Sequence, residues 1–301
     1  KPKIMFIAHM DEIGFIVADI LESGFLKIQP IGGWNPNTLL SSPVVVINSE
    51  GEKFPGIIGA VPVHFLRNKK NSKPEINNMF IDIGAKSKQD VKQNFKIQLG
   101  DQINPVTNFH YSSKNRLMFS KAFDDRAGIA AVIEAGKIAS KTEHPNTIHC
   151  IGSVQEEVGT RGASAIANVT KADVCIVLEG APADDVPGIP HNSQTGVGKG
   201  VHVRVYDPTM LVNPKLKNYI ADIAKEYNIK TQLTVRRGGG TDGRQLHTAN
   251  QGIPTIVIGV PVRYAHSHNC IASMDDFDQL SKLLEKIIKT FNNSKLKQIL
   301  S

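Results

Sequence analysis

Cysteine is scarce in this 301-residue chain, and its three copies are scattered. Cys150, Cys175 and Cys270 stand too far apart for a Cys-x-x-Cys metal site, and three thiols build no disulfide framework. Cys150 and Cys175 sit in apolar runs, where a thiol is expected to be buried as a small hydrophobe. That usage fits a reducing compartment, the cytoplasm. No apolar stretch approaches the ~20 residues that a bilayer-spanning helix needs, so no membrane partner is expected. No cleavable leader is visible; the chain opens Lys1-Pro2-Lys3 straight into an apolar run, and an N-terminal part of its domain is expected to precede it. Phosphate loops are missing too. No Gly-x-Gly-x-x-Gly occurs, and Gly238-Gly239-Gly240 is not followed by lysine, which argues against nucleotide binding. The basic excess, 35 Lys+Arg against 28 Asp+Glu for a net charge of +7, is spread along the chain. Its densest patch, Arg67–Lys73, reads as a solvated loop tip, so nucleic acid is not an expected partner. Internal repeats and low-complexity tracts are absent.

What is present has two textures. Residues 3–8 read as a buried strand. From residue 15 to residue 114, short β-type runs (Phe15–Ile20, Phe25–Ile28, Val44–Ile47, Gly56–Ile58, Phe80–Ile83) alternate with Gly, Pro and Asn turns, with one helix over Lys88–Phe95 behind the cap Ser87. From residue 115 onward strands and helices alternate. Strands are predicted at Leu117–Phe119, Ile148–Val154, Val174–Leu178, His202–Val205 and Thr255–Ile258. Helices are predicted at Asp125–Ser140, Ala163–Asn168, Pro214–Tyr227 and Asp275–Phe291, and Asn292–Ser301 is read as a frayed tail. Alternation of this kind builds an α/β domain, a mostly parallel sheet covered by helices on both faces. The expected organisation is therefore an α/β domain formed by residues 1–14 and 115–301, interrupted by a small β-rich, barrel-like domain over residues 15–114.

Chemistry-bearing residues cluster where such sheets keep their sites, at strand ends and helix starts. His9-x-Asp11 follows the first strand. A ligating imidazole there would have Asp11 as its orienting partner, whereas a lone His-x-Asp is more often a satisfied strand end. Asp124-Asp125 opens a helix. One acid there is an ordinary cap, but two adjacent carboxylates are less so, and one could bridge two cations. Glu156-Glu157 directly after an apolar strand would repel each other unless cations neutralise them. One could coordinate while the other shuttles a proton. Glu179 ends a buried strand with Gly180 behind it and is read as a ligand. His266 lies in a loop after the last strand, with His268 competing for its role. The run Gly239-Gly240-Thr241-Asp242 is read as a substrate-facing loop because consecutive glycines permit close backbone approach. Taken together, His9, Asp124, Glu157, Glu179 and His266 make an imidazole–carboxylate donor set suited to zinc, cobalt or manganese. Two such metals ~3.5–4 Å apart are a hydrolytic device, with Glu156 as the group that takes the proton of water.

The motifs AHMDEIG, AFDDRAG, VQEEVG, LEGAPADDVPG, GKG, GGGTDG and VPVRYAHS, with IQPIGGWNPNTL in the β-rich domain, occur in an order and spacing that run the length of the chain. In these the chain resembles the tetrahedral, dodecameric metalloaminopeptidases, the co-catalytic family that includes glutamyl aminopeptidase. The resemblance implies a phosphorylase/hydrolase-like α/β fold and two divalent metal ions per subunit, zinc foremost. It implies that His9, Asp124 and Glu179 hold one ion, that Asp124 bridges, and that Glu157 and His266 hold the other. It makes Glu156 the general base and Asp11 the support of His9. It also implies that the inserted domain is a dimerisation domain, that dimers build a hollow tetrahedral dodecamer, and that peptides are the substrates. The sequence departs from the family in three places. Glu179 stands where many members have Asp, Cys270 stands where a Glu often follows the His-Ser motif, and the helix and strand that open family members are not present before His9.

Three rivals differ in what would expose them. A two-metal carboxypeptidase or deacylase would lack the inserted domain with its GGW/NP motif. A glycosidase would need two carboxylates across a sugar cleft without metal. A catalytically inactive cage scaffold would show no chelator-sensitive turnover. An acidic or neutral first residue is the expected substrate preference, and His64 is a candidate to reach a neighbouring subunit's site.

Overall fold

The run Ile4-Met5-Phe6-Ile7-Ala8 has no polar face, so as a strand it must be covered on both sides. In the computed structural model, which describes residues 1–65, 73–189 and 192–301, strand β1 (Lys3–His9) is buried at every residue from Ile4 to His9. Most of the patch Arg67–Lys73 lies outside the described residues. The chain divides into two compact units. One comprises Lys1–Asp11, His110–Ala265 and Cys270–Ser301; the other comprises Glu12–Phe109 and His266–Asn269. Both junctions of the insertion fall a few residues earlier than the sequence texture placed them. The short return of His266–Asn269 to the second unit has no counterpart in that texture.

The second unit is built from strands that alternate. β2 (Gly14–Ile20), β3 (Leu26–Ile31), β4 (Pro43–Ile47), β5 (Lys53–Ile58), β6 (Phe80–Asp82) and β7 (Gln102–Pro105) close an antiparallel barrel in the order β2-β3-β6-β5-β4-β7. Phe15, Val17, Leu26, Val44, Val46, Ile81 and Ile103 fill it. Closure leaves no strand edge to template pairing with another chain. Helix α1 (Lys88–Gln93) starts where Ser87 Oγ accepts the amide of Asp90 at 3.2 Å.

The first unit continues with β8 (His110–Ser112), β9 (Leu117–Ser120), α2 (Phe123–Lys141), β10 (Thr147–Ser153), α3 (Arg161–Thr170) and β11 (Val174–Pro182). Then come β12 (Val201–Asp207), β13 (Met210–Leu211), α4 (Pro214–Glu226), β14 (Thr231–Val235) and α5 (Gly243–Leu246), followed by β15 (Thr255–Arg263), β16 (Cys270–Ser273), α6 (Met274–Thr290) and α7 (Asn293–Leu300). One ten-stranded sheet runs β10-β1-β11-β15-β16-β9-β8, with β12 also on β15 and carrying β13 and β14. The sheet is mostly parallel. β10, β1, β11 and β15 form its parallel centre, while β12, β16, β9 and β8 join antiparallel. The continuous apolar sequences belong to β1, β11 and β15, buried on both faces; the edge strand β10 is only partly buried. Helices α2 and α4 each pack against α6, and α3 and α5 form a second group. Among the described residues no helix is long and apolar enough to cross a membrane.

Two expectations fail. Cys150 is exposed, because β10 is an edge strand on which only Ser153 is fully buried, whereas Cys175 in the central β11 is buried. Asn292–Ser301 is not frayed. Asn292 caps α7 by accepting the amide of Lys295 at 3.0 Å, and Ile299 is buried, so Leu296 and Ile299 at helical spacing give the lysine-rich tail an apolar stripe.

Candidate metal centre

Three chain segments converge at the carboxyl ends of β1, β10 and β11. β1 pairs in parallel with β11 through Ile7–Val177 and with β10 through His9–Ser153, so His9 and Glu179 end level on adjacent strands. The start of α2 closes on them because glycine stands at two contact points. A Cβ on Gly180 would lie 2.0 Å from the Phe123 carbonyl oxygen, and one on Gly128 would lie 2.2 Å from Asp125 Oδ1. The long helix predicted from Asp125 takes regular form only beyond this point. Asp124 and Asp125 have non-helical backbone, and the peptide between them is cis.

The two aspartates then part. Asp124 Oδ1 lies 3.1 Å from His9 Nε2. Asp125 turns inward and is fully buried, where its carboxylate accepts the backbone amides of His9 (3.1 Å), Gly128 (2.9 Å) and Gly180 (2.9 Å). It thereby ties β1, α2 and β11 together. Burial pushes its carboxyl well above the usual range, and the His9 charge and these amides pull back. The sequence singled out the pair but not this division of work, since adjacency carries no sign of which side chain turns inward.

Asp11 also does more than its spacing implied. His9 Nδ1 donates to the Asp11 backbone carbonyl at 3.1 Å, while the Asp11 carboxylate is 3.7 Å away. That carboxylate instead accepts the amides of Glu156 and Glu157, each at 3.1 Å. One residue therefore fixes the imidazole through its main chain and the glutamate turn through its side chain. Glu156 Oε2 lies 3.9 Å from His9 Nε2. Burial, reinforced by neighbouring carboxylates and opposed by His9, pushes the Glu156 carboxyl up to about 8. Glu179 is buried and pushed well above the carboxylate range for the same reason.

Ligand atoms of His9, Asp124 and Glu157 lie within 4.8 Å of one another, and so do those of His9, Asp125 and Glu179. Two overlapping groups thus share one imidazole. Burial opposes a charge on His9, yet Asp124, Glu179 and Asp125 hold its pKa up at about 12. So much buried negative charge around a single imidazole is a pocket whose own electrostatics call for cations, and its oxygen and nitrogen donors suit zinc, cobalt or manganese.

The remaining predicted residues are placed as follows. Gly239 and Gly240 are exposed, whereas Thr241 and Asp242 are buried, with Asp242 Oδ2 accepting the Ser153 hydroxyl. His266 belongs to the second unit, where its Nδ1 is 2.7 Å from the Gly33 carbonyl, and His268 is buried there against Trp34. His64 is exposed in a short 3-10 turn, Val63–Phe65, of that unit.

Comparison with known proteins supplies the identity. The model of the M42 glutamyl aminopeptidase family matches residues 1–283. The chain belongs to this peptidase family. Glutamyl aminopeptidase of Lactococcus lactis subsp. cremoris is 35% identical over 300 residues, which cover 99% of this chain and 83% of that protein. Among solved structures, the TET aminopeptidase of Thaumarchaeota archaeon SCGC AB-539-E09 superposes with a TM-score of 0.93 at 38% identity, over 99% of this chain and 84% of that one. The Pyrococcus horikoshii TET1 peptidase, which can assemble into a tetrahedron or a large octahedral shell, has a TM-score of 0.84 at 29% identity, over 97% and 84%. M42 relatives are aminopeptidases, and family members depend on metal.

Proposed function

We propose that this M42 chain is a dinuclear metal aminopeptidase that hydrolyses the N-terminal peptide bond of peptides. The observation that carries the proposal is the convergence of carboxylates on the buried His9 imidazole: ligand atoms of the half-buried Asp124 and Glu157, and of the buried Asp125 and Glu179, lie in each case within 4.8 Å of it and of one another. His9, Asp124 and Glu179 are assigned to one cation, with Asp124 bridging, and Glu157 and His266 to the other; His266 is assigned on the sequence pattern. Two zinc ions, or cobalt or manganese in their place, would acidify a water and polarise the scissile carbonyl when bound.

The chain's own part is proton handling and orientation. Glu156 accepts a proton from the attacking water and delivers it to the leaving amine as the carbon–nitrogen bond breaks. Cations beside it would bring its raised pKa back into the range of a base. Asp11 keeps His9 and the Glu156–Glu157 turn in register with each other. The Gly239–Asp242 stretch faces substrate, with an acidic or neutral first residue preferred. The inserted barrel serves dimerisation and the protein works in the cytoplasm; assembly into a tetrahedral dodecamer is supported by the tetrahedron or octahedral shell that Pyrococcus horikoshii TET1 can form.

The deciding experiment is hydrolysis of Glu-, Asp-, Leu-, Lys- and Ala-anilides after chelation and resupply of Zn, Co or Mn. Activity that disappears with chelator and returns with metal is the expected result, with the acidic or neutral anilides fastest. Silence under every metal, in assembled protein, would favour the deacylase or scaffold readings.

A further inference from the structure

The six letters Gly238-Gly239-Gly240-Thr241-Asp242-Gly243 contain glycines of two kinds. A Cβ on Gly238 or Gly239 would meet nothing within 4 Å. A Cβ on Gly240 would lie 3.0 Å from both the methyl and the hydroxyl of Thr209, and one on Gly243 would lie 2.8 Å from Met210 Sδ. So the third and fourth glycines seat on two consecutive residues of the β12–β13 turn, while the first two stand in open space.

That turn is built rigidly. Arg204 on β12 and Asp207 at its end are both buried and pair at 3.2 Å. The other Asp207 oxygen accepts the Thr209 amide at 2.8 Å and its hydroxyl at 2.6 Å. The segment above is pinned at both ends. On one side the Arg236 amide donates to the Tyr206 carbonyl (2.9 Å), and the Arg236 guanidinium reaches Asp184 and Thr195. On the other, Asp242 accepts the hydroxyl of Ser153, the residue in register with His9. Between the pins, Arg237 to Gly240 are exposed.

We propose that the Asp207–Met210 turn is the floor that sets the height of the Arg237–Gly240 strap beside the carboxylate centre, making Asp207 and Thr209 positioning residues for substrate. The inference rests on the reading of this stretch as substrate-facing. It links a turn on the antiparallel flank of the sheet to the residue beside His9, through close packing of glycines 240 and 243 on Thr209 and Met210.

The test uses the metal-loaded enzyme in four forms: wild type, Gly240→Ala, Thr209→Ala and the double variant. Two quantities are read: hydrogen exchange of peptides spanning residues 236–243, and KM and kcat on the fastest anilide. Gly240→Ala is expected to speed exchange in that segment and to lower kcat/KM about tenfold, mostly through KM, because a small displacement of a binding segment is costly. Thr209→Ala in the same chain removes the atoms the new methyl meets and is expected to restore most of both quantities. Silence of Gly240→Ala, or a double variant that merely adds the two single effects, overturns the proposal. Asp207→Asn should mimic Gly240→Ala, but it leaves Arg204 buried without its partner, so the Thr209 pair decides. Should wild type cleave no anilide with any metal, the aminopeptidase reading fails, while the exchange measurement still decides whether the floor exists.

Discussion

The barrel buries apolar side chains and little else, whereas the sheet unit also buries charge. Among the described residues, Asp101 and His268 are the buried ionisable groups of the barrel unit. The sheet unit buries His9, Asp125, Glu179, Asp184, His202, Arg204, Asp207, Asp242 and Asp276. A charge taken from water costs several kcal/mol unless it is paired or hydrogen-bonded. Nothing in the folding of a sheet asks for that expense at the ends of β1 and β11. The contrast separates a unit held by apolar packing from one that must also accommodate buried charge, and changes that act on one kind of interior but not the other should sharpen it.

The largest effect is expected at Glu156. Glu156→Gln keeps the shape and removes the proton acceptor, so kcat should fall about 10²- to 10⁴-fold while two metal ions still bind and melting is unchanged or slightly raised. Titration calorimetry with zinc beside anilide kinetics checks both halves. A variant that keeps a tenth of wild-type kcat would remove Glu156 from its role.

Next in size is Gly180→Ala. The new methyl would sit 2.0 Å from the Phe123 carbonyl, so β11 and the head of α2 must separate. Overpacking of this kind costs about 3 kcal/mol. It should also weaken metal binding, because Asp124 and Glu179 are carried on the two segments forced apart. Ile81→Val, at the fully buried centre of the barrel, should cost about 1 kcal/mol and leave metal affinity and the kcat of folded protein alone. Should Ile81→Val move metal affinity, or Gly180→Ala leave it intact, the division between the two interiors would dissolve.

The same division explains what could be read from the letters alone. Central strands and the alternating barrel strands announce themselves because continuous or period-two apolar patterns have few structural meanings. The strands Gln102–Pro105, His110–Ser112, Met210–Leu211, Thr231–Val235 and Cys270–Ser273 were not foreseen. They are short or lie at edges, and partners remote in sequence create them, as when Thr231–Val235, with Leu233 and Val235 exposed, pairs on β12 alone. At the centre, His9, Asp124, Glu157 and Glu179 were legible because they stand at or just after the ends of apolar strands or, for Asp124, at the start of a helix. The inward turn of Asp125 and the two-way hold of Asp11 were not, since both depend on backbone amides. Asp184, Asp185 and Asp276 show the same limit. They clamp residues 194–200 through main-chain donors that no side-chain pattern records.

Asp276 offers the finest probe of the cost of buried charge, well away from the metal centre in sequence. Its two oxygens accept the amides of Gly198 at 2.6 Å and Gly200 at 2.7 Å. Burial, with Asp275 and Asp185 adding repulsion, raises its carboxyl to about 6 against these two amides. A folded-state pKa above the unfolded value of 3.8 means that folding favours the protonated form. The associated stability is fully present below pH 3.8 and is lost as pH rises through about 6. Asp276→Asn cannot ionise and lacks that loss. The margin by which wild type exceeds that variant, a gap set at low pH by neutral acid against amide, should narrow between about pH 4 and pH 6 and stay constant above. Chemical denaturation of both proteins at half-unit steps across that window reads the difference directly. A gap that widens with pH would mean that the two glycine amides outweigh burial, and that the loop after β11 is held by a carboxylate as content in the fold as in water.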